Sequence, residues 1–179
     1  MTSDSSQAID ARVRAAAAGD ARAVRALLSE LLPRSRNLVR YLVRGDADVD
    51  DIAQEALVAV LRGLPTYRAD GSFRAWSDRI TARVTFAYLK RTRSRREVEL
   101  PDLSLVADPG APPDEYAIRR QTVRMLDRLP DDQRQVLVLH HVMGMSLPEV
   151  AGELCVPLET ARSRLRLAKQ KLRALRGEP

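Results

Sequence analysis

An all-α fold of two small helical domains joined by an acidic, proline-rich linker is what this sequence predicts, on three observations. Helix formers (Ala, Leu, Arg and Glu) dominate the 179 residues, aromatics are only 4%, and no alternating β-branched run lasts more than a few residues. Charge also changes sign along the chain. Residues 1–96 hold 18 basic and 11 acidic side chains, residues 97–115 hold 6 acidic and none basic, and residues 116–179 hold 12 basic and 7 acidic. Finally, the stretch from Ser146 to Leu175 reads as two short amphipathic helices joined by a tight turn, the second strongly basic.

Composition excludes several classes. Nothing approaches the roughly 20 apolar residues of a membrane span, and the first 20 residues lack the basic-then-apolar order of a signal peptide, so a cytoplasmic protein with no membrane insertion is expected. One cysteine, Cys155, rules out an intramolecular disulfide. His140 and His141 are the only histidines, so no metal site, cofactor or catalytic role is expected. Two basic domains in a chain of pI near 10.1 point instead to nucleic acid.

The first domain, residues 1–96, reads as four helical stretches: Ser6–Ala18, Ala21–Arg44, Val49–Leu64 and Ser72–Thr92. Gly19-Asp20, Gly45-Asp46 and Ala69-Asp70-Gly71 stop and restart them. Pro33 inside the second stretch predicts a kink or a split. In the third, Val49, Ala53, Ala56, Leu57, Val60 and Leu64 cover one side of the wheel and leave Asp51, Gln54, Glu55, Val58 and Arg62 on the other. Asp50 and Asp51 suit a helix N-terminus, but an outward Val58 with Leu61 on the flank is unexpected on a solvated face. A protein-docking face is the reading that covers both. The fourth stretch mixes Phe73, Trp76, Phe86 and Tyr88 with Lys90, Arg91, Arg93, Arg95 and Arg96. Aromatics to stack on unpaired bases and cations for phosphates are the two ingredients of single-strand binding. Helical spacing also suits a core. Ile80, Val84 and Leu89 are assigned inward, Trp76 to core ahead of base platform, and Arg79, Arg83, Lys90 and Arg91 to phosphate.

Residues 97–115 carry four prolines and one glycine, which break helices and mark an extended tether between domains. In the second domain, residues 116–179, Val150, Ala151 and Leu154 form the inner stripe of a short helix. Cys155-Val156-Pro157 interrupts the pattern, and Ala161, Leu165, Ala168, Leu172 and Leu175 line the next helix. Opposite that stripe lie Glu159, Ser163, Arg166 and Gln170, with Arg162 beside them, where a major groove would run. Arg164 falls on the flank, and Lys169 and Lys171 lie beyond the first two turns. Thr160 stands where its hydroxyl can serve the new N-terminus. From Arg162 to Arg176 there are seven basic residues and no acidic one.

These residues converge on one family. The chain resembles bacterial extracytoplasmic-function sigma factors over nearly its full length. Asp51, Gln54 and Glu55 match the D-x-x-Q-E signature of the family's acidic core-binding helix, and Phe73 to Trp76 match its F-R-x-W signature. Leu129 and Pro130 open a stretch similar to L-P-x-x-x-R-x-V-L, and Thr160, Arg162, Ser163 and Arg164 match T-x-[RK]-S-R of its recognition helix.

The resemblance implies a transcription initiation factor. Asp51, Gln54, Glu55 and Val58 would dock on the clamp helices of the polymerase β′ subunit. The loop residues Tyr67, Arg68, Asp70 and Ser72, with Trp76, Arg79, Arg83, Lys90 and Arg91 of the next helix, would capture the melted −10 element. Thr160, Arg162, Ser163, Arg164 and Arg166 would read the −35 element while this domain rests on the β flap. The acidic tether would run toward the RNA exit path, and an anti-sigma factor is a common partner of similar proteins. Three departures stand out. Arg83 and Ala87 replace a frequent Asn and Asp near the −10 contacts, and Leu57 and Val60 replace aromatics. Cys155 replaces a common Gly, where left-handed backbone costs about 1 kcal/mol or more, which predicts a differently shaped turn. Two rival classes share parts of the pattern: a response regulator or repressor with the same C-terminal helices, and an RNA-binding antiterminator using Arg91 to Arg96. The first needs a receiver or ligand domain, which residues 1–96 do not resemble, and neither explains the acidic face with Val58.

Overall fold

The computed structural model describes residues 11–93 and 113–176, all of whose regular structure is helical. Arg95, Arg96 and residues 97–112 of the expected tether lie outside them, as does the start of the first predicted stretch. The chain divides into two compact units, 1–105 and 106–179.

In the first unit, residues 11–17 form α1. It is followed by α2 (Ala21–Leu42), α3 (Val49–Gly63), a 3₁₀ turn (Leu64–Thr66) and α4 (Phe73–Arg93). Gly19, at φ +91, turns the chain, and the Asp20 carboxylate accepts hydrogen bonds from the backbone N–H groups of Arg22 (2.7 Å) and Ala23 (3.0 Å). Those bonds to Ala23 and Arg22 hold its pKa below the ordinary carboxylate value. Pro33 does not split the stretch: α2 runs through it as one helix, Ala21–Leu42. Pro33 and Ser29, whose carbonyl loses its helical donor, are both exposed, so water can serve that carbonyl.

The face of α3 expected inward is inward: Val49, Ala53, Ala56, Leu57, Val60 and the following Leu64 are all buried. Leu57, Val60 and Leu64 join an apolar cluster with Leu27, Leu31 and Phe73, and Val49 and Ala53 join another with Val39, Val43 and Ile52. Ile80 packs on the first; Val84 and Leu89 pack on the second. Helix α4 also buries a polar stripe that periodicity of apolar residues does not reveal. Ser77, Thr81 and Thr85 are buried, and their hydroxyls donate to the carbonyls of Arg74 (2.9 Å), Ser77 (3.0 Å) and Thr81 (2.8 Å). Satisfied internally in this way, small polar residues can replace apolar ones. Beside them the buried Asp78 accepts both arms of the Arg34 fork, the Nε bond being 2.8 Å, and this ties α4 to α2. The same bond raises the Arg34 pKa above its ordinary value.

The second unit holds α5 (Pro113–Leu126), α6 (Asp131–His141), α7 (Leu147–Glu153) and α8 (Leu158–Arg176). The extended tether expected through residue 115 therefore ends earlier: proline is well suited to a helix start, and α5 begins at Pro113. Leu126, Leu129, Val136, Leu139, Val150, Ala161, Leu165 and Ala168 form the buried interior. Helix α7 opens with a capping box, in which Ser146 Oγ accepts from the Glu149 N–H and the Glu149 carboxylate accepts from the Ser146 N–H at 2.9 Å. It closes with the six-to-one and five-to-two bonds of a Schellman turn: Val156 N–H donates to Ala151 O (3.0 Å) and Cys155 N–H to Gly152 O (3.2 Å). Cys155 occupies the left-handed position at φ 53. The turn is thus not reshaped. Two fixed hydrogen bonds and the helix crossing impose the geometry that glycine would adopt more easily. Leu175, expected on the inner stripe, is exposed, because the end of α8 extends past the residues that bury Ala161, Leu165 and Ala168.

Candidate functional site

Three surfaces follow from this scaffold. On α3, Asp51, Gln54, Glu55 and Val58 are all exposed on the side away from the buried stripe, and Val58 keeps 44% of its surface in solvent. The acidic residues are not equivalent. Asp50 accepts a bidentate bond from Arg36 of α2 (2.6 and 2.9 Å), and Asp46 pairs with Arg40. Glu55 pairs with Arg91 of α4 at 3.1 Å, and the Arg91 guanidinium lies 5.9 Å from the Tyr88 ring centre. Asp51 makes no ion pair among the described residues.

A second surface surrounds the α3–α4 connection. Tyr67 is half-buried: its hydroxyl donates to the Gly71 carbonyl at 2.6 Å, and its ring meets Phe73 edge-on at 5.3 Å and Trp76 at 5.2 Å. Trp76 is also half-buried, packed on the first apolar cluster, and a side chain on Gly63 would meet its ring at 3.1 Å. The core assignment of Trp76 holds, and Tyr67 joins it in bracing the loop. Ala69, in that loop, adopts φ 57, a left-handed conformation that costs a non-glycine residue about 1–2 kcal/mol. Arg68, Asp70 and Ser72 are exposed on the loop, as are Arg79, Arg83, Lys90 and Arg91 along α4. Arg74, between the two signature aromatics, pairs with Glu30 of α2 at 3.2 Å, and Glu30 also holds Arg12 of α1 at 3.2 Å. Arg74 thus fastens the start of α4.

On α8, Arg162, Ser163 and Arg166 are exposed, whereas Thr160 and Arg164 are half-buried. Arg164 Nε bonds Asp132 of α6 at 3.1 Å, which fixes α8 against its support. Arg162 Nη1 donates to Glu159 one turn earlier at 2.5 Å. Arg162, Arg166, Lys169, Gln170 and Arg173 line an open groove with Leu147 at the start of α7. Its chemistry is that of a cationic surface suited to a polyanion, with hydrogen-bonding side chains within.

One residue the charge pattern did not single out holds this unit together. Arg134 is completely buried; its Nε and Nη2 donate to the Leu126 carbonyl (3.0 and 2.8 Å), and Nη2 reaches Asp127 Oδ1 at 2.8 Å. It closes the C-terminus of α5 onto α6. The only sequence signal was its place as the arginine of the L-P-x-x-x-R stretch.

Residues 27–95 match the Sigma-70 region 2 family and residues 119–172 match Sigma-70 region 4. The ECF RNA polymerase sigma factor SigM of Mycobacterium tuberculosis is 33% identical over 169 residues, which span 94% of this chain and 85% of SigM. The chain belongs to the extracytoplasmic-function sigma factors. The ECF sigma-E factor of Escherichia coli is 28% identical over 86% of each chain. Among solved structures, CnrH in complex with the cytosolic domain of CnrY superposes with a TM-score of 0.56 at 26% identity, covering 92% of this chain and 94% of CnrH. This sigma factor is accordingly a transcription initiation factor that binds core RNA polymerase and directs it to promoters through their −10 and −35 elements.

Proposed function

We propose that the sigma factor divides its work by residue as follows. Asp51, Gln54, Glu55 and Val58 dock on the polymerase β′ clamp helices. Arg68, Asp70 and Ser72, on a loop braced by Tyr67 and Trp76, capture the melted −10 strand with Arg79, Arg83, Lys90 and Arg91. Arg162, Ser163 and Arg166 read the −35 element, and Thr160 and Arg164 set the pose of α8, while residues 116–179 rest on the β flap. The chain makes and breaks no bond, works in the cytoplasm, and has an anti-sigma factor as a partner. CnrH, bound to CnrY, supports that last reading by analogy.

The observation that carries this reading is Val58, a large apolar side chain left exposed among carboxylates on the face opposite a fully buried stripe. Docking at Glu55 exchanges its bond to Arg91 for an intermolecular one, which would leave Arg91 available to DNA. Pull-down with purified core polymerase tests the assignment. Charge reversal with Asp51→Arg and Glu55→Arg should abolish stoichiometric binding, and normal binding by the double variant would refute it. Permanganate footprints of the −10 element, made with holoenzyme carrying Lys90→Ala, should show reduced opening.

A further inference from the structure

Among the residues of α8 that face away from its buried stripe, Glu159 is the anomaly. It is the only acidic residue in the helix, 78% of its side chain is exposed, and it shares the outward face with Ser163, Arg166 and Gln170. A carboxylate carried into a groove between two phosphate strands is repelled unless it accepts hydrogen bonds there. In the major groove the donors are exocyclic amino groups, and the cytosine N4 amino group is the one that a carboxylate takes best. Glu159 Oε1 already accepts from Arg162 Nη1, so Oε2 is the oxygen left to face a base. Arg162 keeps Nη2 and Nε, which suit the O6 and N7 acceptors of guanine. A guanine acceptor pair and a cytosine donor are what neighbouring G·C pairs present to such a couple.

We propose that Glu159 is a specificity-determining residue of the −35 contact: its carboxylate accepts from the N4 amino group of a cytosine next to the guanine taken by Arg162. The inference rests on the reading of α8 as the −35 helix. A carboxylate in this place also acts against wrong sites, because any base lacking the amino donor leaves it desolvated and unpaired against the phosphate field. Its removal therefore loosens specificity while strengthening binding to unrelated DNA.

The competing role for Glu159 is local. An acidic residue in the first turn favours the helix dipole, and its bond to Arg162 would orient that arginine and nothing more. The two roles separate in a selection from a pool randomised across the −35 element. Holoenzyme would carry the full-length protein as wild type, Glu159→Ala, Glu159→Gln, Arg162→Ala or Arg166→Ala, with thermal melting of each variant measured in parallel. Glu159→Ala should lose one cytosine preference, falling from about tenfold to about twofold, and retain the preferences set by Arg162 and Arg166. Glu159→Gln should move that position toward adenine, because an amide pairs with adenine N6 and N7. Unchanged preferences in both Glu159 variants, with Arg166→Ala altered, would overturn the proposal and leave Glu159 a helix-end residue. Loss at the same position that Arg162→Ala loses would also overturn it, in favour of a positioning role. If Arg162→Ala and Arg166→Ala also leave the preferences unchanged, the reading of α8 itself fails.

Discussion

Cys155 and Arg134 show how much a single position contributes when its backbone or its burial is constrained. At φ 53 the cysteine bears the steric cost of a left-handed L residue, about 1–2 kcal/mol, and glycine would remove it while adding chain entropy to the unfolded state. Cys155→Gly should therefore raise stability by about 0.5–1 kcal/mol in denaturant unfolding, with −35 preferences unchanged. Arg134 is the opposite case. Its buried fork bridges the Leu126 carbonyl and the half-buried Asp127 carboxylate, and Arg134→Ala removes both side-chain donors from the Leu126 carbonyl and opens a cavity. A loss of about 3 kcal/mol or more is expected, and Arg134→Lys should not restore it, since an ammonium cannot span the same acceptors.

Helix α3 buries one face and leaves the other, proposed to dock on polymerase, exposed. Val60 is fully buried and Val58 exposed, two residues apart on a helix and hence on different sides. Val60→Ala should lower stability by about 1–3 kcal/mol, whereas Val58→Ala should change it by less than about 0.5 kcal/mol yet weaken core-polymerase binding. Equal effects of the two variants on binding would mean that the face, not the fold, had been misassigned. At the end of α6, partial burial, then Lys169 of α8 and His140, lower the His141 pKa from 6.5. The folded state then resists the proton that the unfolded chain takes up. His141 contributes stability fully above about pH 6.5, and that contribution is lost as the pH falls toward the folded pKa. Melting temperatures should drop between pH 7.5 and pH 5, and His141→Gln should reduce the drop.

For the whole molecule, the net charge of +6 and the basic face of α8 make promoter binding a salt-dependent equilibrium. Lys169 and Arg166 share one groove but differ in expected role. Holoenzyme with Lys169→Ala should bind all −35 variants more weakly by a similar factor, with a slope of log affinity against log salt reduced by about one. Arg166→Ala should in addition relax preference at one or two positions, because an arginine fork distinguishes guanine and a phosphate carries no base identity. Identical preference profiles for the two variants would mean that α8 enters the groove with another rotation.

Helix content, the buried stripe of α3, its exposed acidic face with Val58, and the short helix followed by a strongly basic one in the second domain follow from sequence periodicity and charge, since each depends on spacing within one element. Periodicity could not predict interactions between elements. That Pro33 leaves α2 intact depends on an exposed carbonyl. That Ser77, Thr81 and Thr85 belong inside depends on hydroxyls that bond their own helix, and that Arg164 steadies α8 depends on Asp132 arriving from α6. That Tyr67 braces its loop depends on the Gly71 carbonyl and the Trp76 ring meeting it across the turn. The amphipathic pattern along each helix was determined by the sequence alone. Which polar groups pair with one another and which remain exposed was decided only by tertiary structure, because a hydrogen-bond partner distant in the chain is specified by three-dimensional proximity.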